Sequence, residues 1–212
     1  MGLAKATIFW DVDTQFDFMH RDGKLYVPGA EEIIKKVSEV RRYALRTGHS
    51  LIASMDWHSV GDEEISSYPD FKQTFPPHCE AGKPGSERVG FLGTVPREYV
   101  RIEKMNPDDL RKLVDKKQFH IVIRKSTFDV FSNPNTAKLL DLIKPKVVLI
   151  FGVALDVCVY QTIRGLLKRR DVCVCVFNDV VKGLGIRRDE EILEEFQRKM
   201  GVQVTRFHDF KR

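Results

Sequence analysis

A chain of 212 residues with 42% hydrophobic and 31% charged side chains suits one soluble domain with a proper core. Its 35 Lys and Arg interleave with 30 Asp and Glu, so the formal charge of +5 is a thin surplus over a solvated surface. Basic runs such as LLKRRD (166–171) lack the aromatics that stack on bases, and no apolar run is long enough to cross a bilayer, so neither a nucleic-acid nor a membrane partner is expected.

In chain order, the apolar run ATIFWDV (6–12) reads as a first strand. A helix follows over 30–47, where Ile33, Ile34, Val37, Val40 and Leu45 recur at three- and four-residue spacing and Glu31 and Glu32 suit the start. SLIASM (50–55) reads as a second strand. The stretch 56–107 holds Pro69, Pro76, Pro77, Pro84, Pro96 and Pro107 of the nine prolines and little periodicity, so it reads as a long functional loop. DDLRKLVDKK (108–117) makes a short helix and IVIRK (121–125) a third strand. NPNTAKLLDLI (133–143) makes a helix capped by Asn133 or Asn135, and KVVLIFGV (146–153) a fourth strand. A helix over 158–169, a strand DVCVCVF (171–177), a helix over 187–199 and a sixth strand VQVTRF (202–207) complete the set. Near-continuous apolar strands alternating with amphipathic helices predict an α/β fold: a doubly wound parallel sheet of about six strands flanked by helices, in a single domain over 1–212. Of the four cysteines (Cys79, Cys158, Cys173 and Cys175) none forms a CxxC pair, and no signal-peptide pattern precedes the first strand. A reduced, cytoplasmic setting is the expectation.

In such a sheet, ligands bind beyond the carboxyl ends of the strands. There the first strand delivers Asp11 and Asp13, the second Asp56 and His58, the third Lys125, and the fourth, after the turn GVALD, Cys158. Taken alone, Cys158 suits a small core residue. Beside a lysine at a helix start it suits a nucleophile whose thiolate is favoured, with free amide N–H groups to receive an oxyanion. A nearby carboxylate would be its general base. Strand alternation places Asp11 and Asp13 on the same side, and Asp17 competes, so the pattern leaves that choice open. Lys125 is either a rim charge or the cation that steadies the thiolate. D-x-H at 56–58 turns two side chains to one face, and FPPHCEAG adds His78. One carboxylate and two imidazoles suit a divalent transition metal (Zn, Fe or Mn), the plainer alternative being loop hydrogen bonding. Asp62, Glu63 and Glu64 are equally available as a further ligand, while Cys79 reads as an inert thiol.

VDTQFDF, SMDWHS, FPPHCEAGKPGSE, IVIRKSTFDVFSNPN and FGVALDVCV, in this order over about residues 6–180, resemble the isochorismatase-like cysteine hydrolases, and among them most of all the nicotinamidases. The resemblance implies the isochorismatase-like hydrolase fold and a catalytic triad of Asp13, Lys125 and Cys158. It implies metal ligands Asp56, His58 and His78, with zinc first and iron or manganese next, and a cis peptide between Val153 and Ala154. The amide groups of Ala154 and Cys158 would form the oxyanion hole. Nicotinamide would be hydrolysed to nicotinate and ammonia through a thioester, for NAD salvage, by a homo-oligomer (dimer or tetramer). Phe16 and Trp57 are the candidate walls of the substrate pocket. Leu155, Val157, Ser126 and Phe131 depart from the family's usual threonine, tyrosine, glycine and tyrosine; they leave the triad untouched and bear on which amide is taken. The same motifs would serve another small amide or carbamoyl substrate, or a binding module of the same fold. A nucleotide-binding domain would need a glycine-rich first turn, which DTQFDF lacks.

Overall fold

Strand and helix alternate through the computed structural model, which describes residues 7–91, 96–169 and 171–211. β1 (Thr7–Val12) leads through a single turn, α1 (Phe16–Met19), to the long α2 (Ala30–Arg46) and β2 (Ser50–Asp56). After an irregular stretch come β3 (Arg97–Val100), α3 (Pro107–Val114), β4 (His120–Lys125) and α4 (Thr136–Ile143). β5 (Val147–Val153), α5 (Tyr160–Leu167), β6 (Cys173–Lys182), α6 (Asp189–Lys199), β7 (Gln203–Thr205) and the short α7 (Phe207–Phe210) complete the order. The strands form one sheet, β3-β4-β2-β1-β5-β6-β7, and every neighbouring pair is parallel. Ala6, at the start of the expected first strand, lies outside the described residues.

Two apolar layers hold the sheet. Ile8, Trp10 and Val12 of β1, Ile52 of β2, Ile121 and Ile123 of β4 and Ile150 of β5 bury one face against Leu110, Leu139, Leu140, Ile163, Leu166 and Phe196. Those partners come from α3, α4, α5 and α6. The opposite face, with Phe9, Leu149, Phe151 and Phe177, is covered by Ile33, Val37, Val40 and Ala44 of α2 and by Phe207. Helices on both faces explain why the strands read as unbroken apolar runs.

The sheet has seven strands, not six. The added one, β3, lies inside the stretch read as loop. Its four residues, REYV, pair with His120–Ile123 at the sheet edge, and Arg97 and Tyr99 are exposed. An edge strand rich in charge carries no apolar run, so only its pairing makes it a strand. β6 also runs on to Lys182, through NDVVK, with a register shift against β5 between Ile150 and Gly152. The helix expected from Cys158 begins instead with a wide turn over Leu155–Val159, in which the Val159 amide donates to the Ala154 carbonyl five residues back, at 3.0 Å.

Candidate active site

Four adjacent strands, β4, β2, β1 and β5, bring their carboxyl ends to one rim. Where β1 ends, Asp13 takes a left-handed backbone conformation, with φ of 47°, which a non-glycine residue adopts rarely. This bend breaks the alternation that put Asp11 and Asp13 on one side. Asp13 Oδ2 lies 3.0 Å from Lys125 Nζ. Asp11 is held away from it, accepting hydrogen bonds from Arg41 Nε at 2.6 Å, from Thr14 at 2.8 Å and from Arg88. Asp17 accepts from the backbone of Lys24 and Cys79, which pins the loop. Of the three carboxylates, Asp13 alone reaches the lysine.

Lys125 ends β4 fully enclosed. Its Nζ contacts Asp13, donates to Asp56 Oδ1 and lies 3.8 Å from Cys158 Sγ. Carboxylate oxygens of Asp13 and Asp56 and the Cys158 sulfur all fall within 4.8 Å of one another. Cys158 sits in the wide turn after β5. The peptide between Val153 and Ala154 is cis, as the family resemblance implies. The Ala154 carbonyl accepts from the Val157 and Val159 amides, which closes the turn that carries Cys158.

Burial decides the protonation states. It pushes the Cys158 thiol well above its ordinary value; the pull of Lys125 does not offset it, and Asp13, Asp56 and Glu64 add repulsion. Where a helix start and a lysine suggest a lowered thiol, burial first and the three acids second push it up. Burial also raises Asp13, against the attraction of Lys125 and with the repulsion of Asp56. At Asp56, burial is outweighed by Lys125, His58 and His78, and the carboxyl falls well below its usual range. Lys125, which burial alone would lower, is raised well above its ordinary value by Asp13 and Asp56. Asp13 is thus the carboxylate suited to carry a proton.

Beside this trio lies a second group. Ligand atoms of Asp56, His58, Glu64 and His78, all buried, stand within 4.8 Å of one another. His78 Nε2 is 3.3 Å and His58 Nε2 3.7 Å from Asp56 Oδ2, and His58 Nε2 is 3.9 Å from Glu64 Oε1. The other ring nitrogens face acceptors, His58 Nδ1 the Asp62 carboxylate at 3.2 Å and His78 Nδ1 the Pro76 carbonyl at 2.7 Å. Those acceptors assign the protons to Nδ1 and leave each Nε2 lone pair aimed inward, the arrangement of a metal-ligating histidine. His58 Nε2 is buried with no hydrogen-bond partner. Tetrahedral bonds of about 2.0–2.2 Å to one ion set donors about 3.3–3.6 Å apart, and separations of 3.3, 3.7 and 3.9 Å need only a small contraction to hold a divalent metal. Glu64 thus joins Asp56, His58 and His78, Asp62 serves as an orienting carboxylate, and exposed Glu63 stands apart. Cys79 is outside the group, its thiol pushed up by burial.

A narrow, tightly closed cavity joins the two groups, lined by Phe18, Leu25, Phe75, Val157, Leu184 and Ala154 together with Asp56, Glu64, His78 and Cys158. Neither expected aromatic wall lines it. Phe16 stacks on His20, with ring centres 4.7 Å apart, and Trp57 lies against the Arg124 guanidinium at 3.9 Å. Phe18 and Phe75 are the aromatic walls. Which side of a one-turn helix meets the sheet rim is not written in its spacing, and the sequence offered no signal for Phe75. A larger open groove on the outer side of α2, lined by Arg42, Tyr43, Arg46 and Phe91, holds none of these groups.

A doubly wound sheet with a thiol and a buried carboxylate together at the strand ends suits hydrolysis better than nucleotide binding. The chain matches the Isochorismatase domain model over residues 6–209 and belongs to that family. It is 26% identical over 191 residues to the nicotinamidase/pyrazinamidase of Mycobacterium tuberculosis, covering 88% of this chain and 91% of that one. It is 27% identical to the nicotinamidase of Saccharomyces cerevisiae over 71% of this chain and 76% of that one. The pyrazinamidase of Pyrococcus horikoshii, solved in complex with zinc, superposes with a TM-score of 0.73 at 28% identity, covering 95% of this chain and 99% of the other. The chain is therefore an enzyme, an amide hydrolase, with nicotinamidase-like relatives. Among the described residues no helix is long and apolar enough to cross a membrane.

Proposed function

We propose that the chain is a nicotinamidase, converting nicotinamide to nicotinate and ammonia through a thioester on Cys158. The observation that carries this reading is the placement of Cys158 Sγ 3.8 Å from Lys125 Nζ, which is itself 3.0 Å from Asp13, on a cavity that also receives Asp56, Glu64 and His78. Asp13 takes the thiol proton as the sulfur attacks the carboxamide carbon, the proton being held the more firmly because burial pushes the thiol up. Lys125 holds Asp13 and balances the charge. The amide groups of Ala154 and Cys158 receive the oxyanion. Asp13 passes the proton to the leaving nitrogen, ammonia departs, and a water deprotonated by Asp13 then cleaves the thioester to nicotinate and free thiol. Asp56, His58, Glu64 and His78 would hold a divalent metal, zinc by preference and iron or manganese otherwise, which supplies a Lewis acid to orient the pyridine ring. We further assign the enzyme to cytoplasmic NAD salvage, as a homo-oligomer.

Ammonia release from nicotinamide, set against a panel of small amides and measured alongside metal content, tests the reading. Nicotinamide should be the preferred substrate, chelation should lower the rate, and Cys158→Ala should abolish turnover while sparing the fold. Turnover of other amides without nicotinamide would overturn the substrate, and undiminished turnover by Cys158→Ala would overturn the thiol mechanism.

A further inference from the structure

Two residues before Cys158, the Asp156 carboxylate gathers four consecutive backbone amides from a distant loop. Leu184 donates to Oδ1 at 2.8 Å, and Gly185, Ile186 and Arg187 donate to Oδ2 at 3.0, 2.8 and 3.3 Å. Successive amides curled in this way form a concave anion cradle. Here the anion is a side chain of the same protein, so the cradle ties the loop between β6 and α6 to the turn that carries the thiol. Gly185, with φ of 93°, supplies the bend. A second tie lies alongside: Glu195 of α6 accepts from Tyr160 at 2.8 Å and from Arg187 at 2.5 Å. Neither Asp13, Lys125 and Cys158 nor the imidazole–carboxylate group requires Asp156. The loop it holds nevertheless reaches the cavity, because Leu184 lines it together with Ala154, Val157 and Cys158.

We propose that Asp156 is a positioning residue that sets substrate size, holding Leu184 as a fixed wall of the cavity that Cys158 and the metal-ligand group also line. It acts through Leu184 and touches no reacting atom. The inference rests on the reading that this cavity receives the amide. A wall fixed by charge-assisted hydrogen bonds resists displacement by a bulkier ring, whereas a wall on a free loop yields and binds the small ring less well.

The test is a double-mutant cycle on the purified, metal-loaded enzyme, with nicotinamide and a ring-alkylated pyridinecarboxamide as substrates. Asp156→Ala should raise KM for nicotinamide by about tenfold, with kcat changed by less than about threefold, and shift relative kcat/KM toward the bulkier amide. Asp156→Asn, which keeps one acceptor oxygen, should fall between and remain folded. In a Leu184→Ala background, Asp156→Ala should change KM by less than about twofold, because both changes remove the same wall. Fully multiplicative effects, or a fall in kcat at constant KM, would overturn the proposal. Hydrogen exchange at the amides of 184–187 should quicken in Asp156→Ala, and unchanged protection there would also overturn it. That readout needs no turnover. If the enzyme prefers another amide, the cycle is run with that amide and its bulkier homologue, so failure of the nicotinamide reading is distinguished from failure of this one.

Discussion

Asp11 and Asp13 stand two residues apart, and their surroundings assign them different tasks. Asp11 neutralises two buried arginines, Arg41 and Arg88; burial pushes its carboxyl up, but the two guanidiniums outweigh that and lower it. Burial raises Asp13, which has a single lysine to set against it. Asp11→Asn should therefore cost about 3–5 kcal/mol in urea unfolding, because it strands buried arginines. Asp13→Asn should fold normally and lose about a hundredfold or more in kcat. Equal stability losses in the two variants would contradict this division. Glu64 is a residue-scale case of another kind. With ligand atoms within 4.8 Å of Asp56, His58 and His78, it is expected to bind the ion, and Glu64→Gln should weaken metal affinity by about tenfold or more, read by titration with a competing chelator. An unchanged affinity would remove Glu64 from the ligand set.

At the scale of elements, the site depends on how β1, β5 and the turn after β5 meet. Gly152, one residue before the end of β5, has φ of 118°, and a Cβ there would stand 2.1 Å from the Val12 carbonyl oxygen. It also borders the register shift against β6. β1 and β5 approach at this point more closely than any side chain permits, and the approach brings the Asp13 bend beside the Cys158 turn. Gly152→Ala should destabilise the fold by about 3 kcal/mol, from backbone strain and overpacking combined, and lower turnover with it. A variant with unchanged thermal midpoint would show that the strands part without penalty. Neither requirement is readable from FGVALD, where Gly152 looks like an ordinary flexible residue; the demand comes from Val12, 140 positions earlier in the chain.

The whole molecule carries an acid sensitivity seated away from the cavity. His120 begins β4 and is buried. Burial, reinforced by Arg88, lowers its pKa from 6.5 to about 3, and its Nδ1 has no partner. The folded state thus binds its proton less readily than the unfolded chain, so the stability His120 contributes is full above about 6.5 and is lost as pH falls toward 3. Between pH 7 and pH 5 this amounts to about 2 kcal/mol. Urea midpoints at the two pH values should differ less in His120→Gln than in the unsubstituted protein. An equal difference in both would place the acid sensitivity elsewhere.

Local composition and periodicity are enough to reveal the parallel sheet, because strands covered on both faces must be apolar throughout. They also show that Asp56, His58, Lys125 and Cys158 arrive at one rim, since each lies at the end of an apolar run or, for Cys158, one short turn beyond it. Folding in three dimensions settled the rest. Pattern alone leaves Asp11 and Asp13 level; the family resemblance chooses Asp13, and a single left-handed residue is what parts the two in space. Contacts between remote segments brought Glu64 into the imidazole group, put Phe18 and Phe75 rather than Phe16 and Trp57 around the cavity, and made a charged tetrapeptide into β3. Burial, with three acids nearby, shifts the thiol in the opposite direction from the one a helix start and a lysine suggest. Each of these depends on partners far away in the chain, and a pattern read within a few residues cannot register a neighbour that only folding supplies.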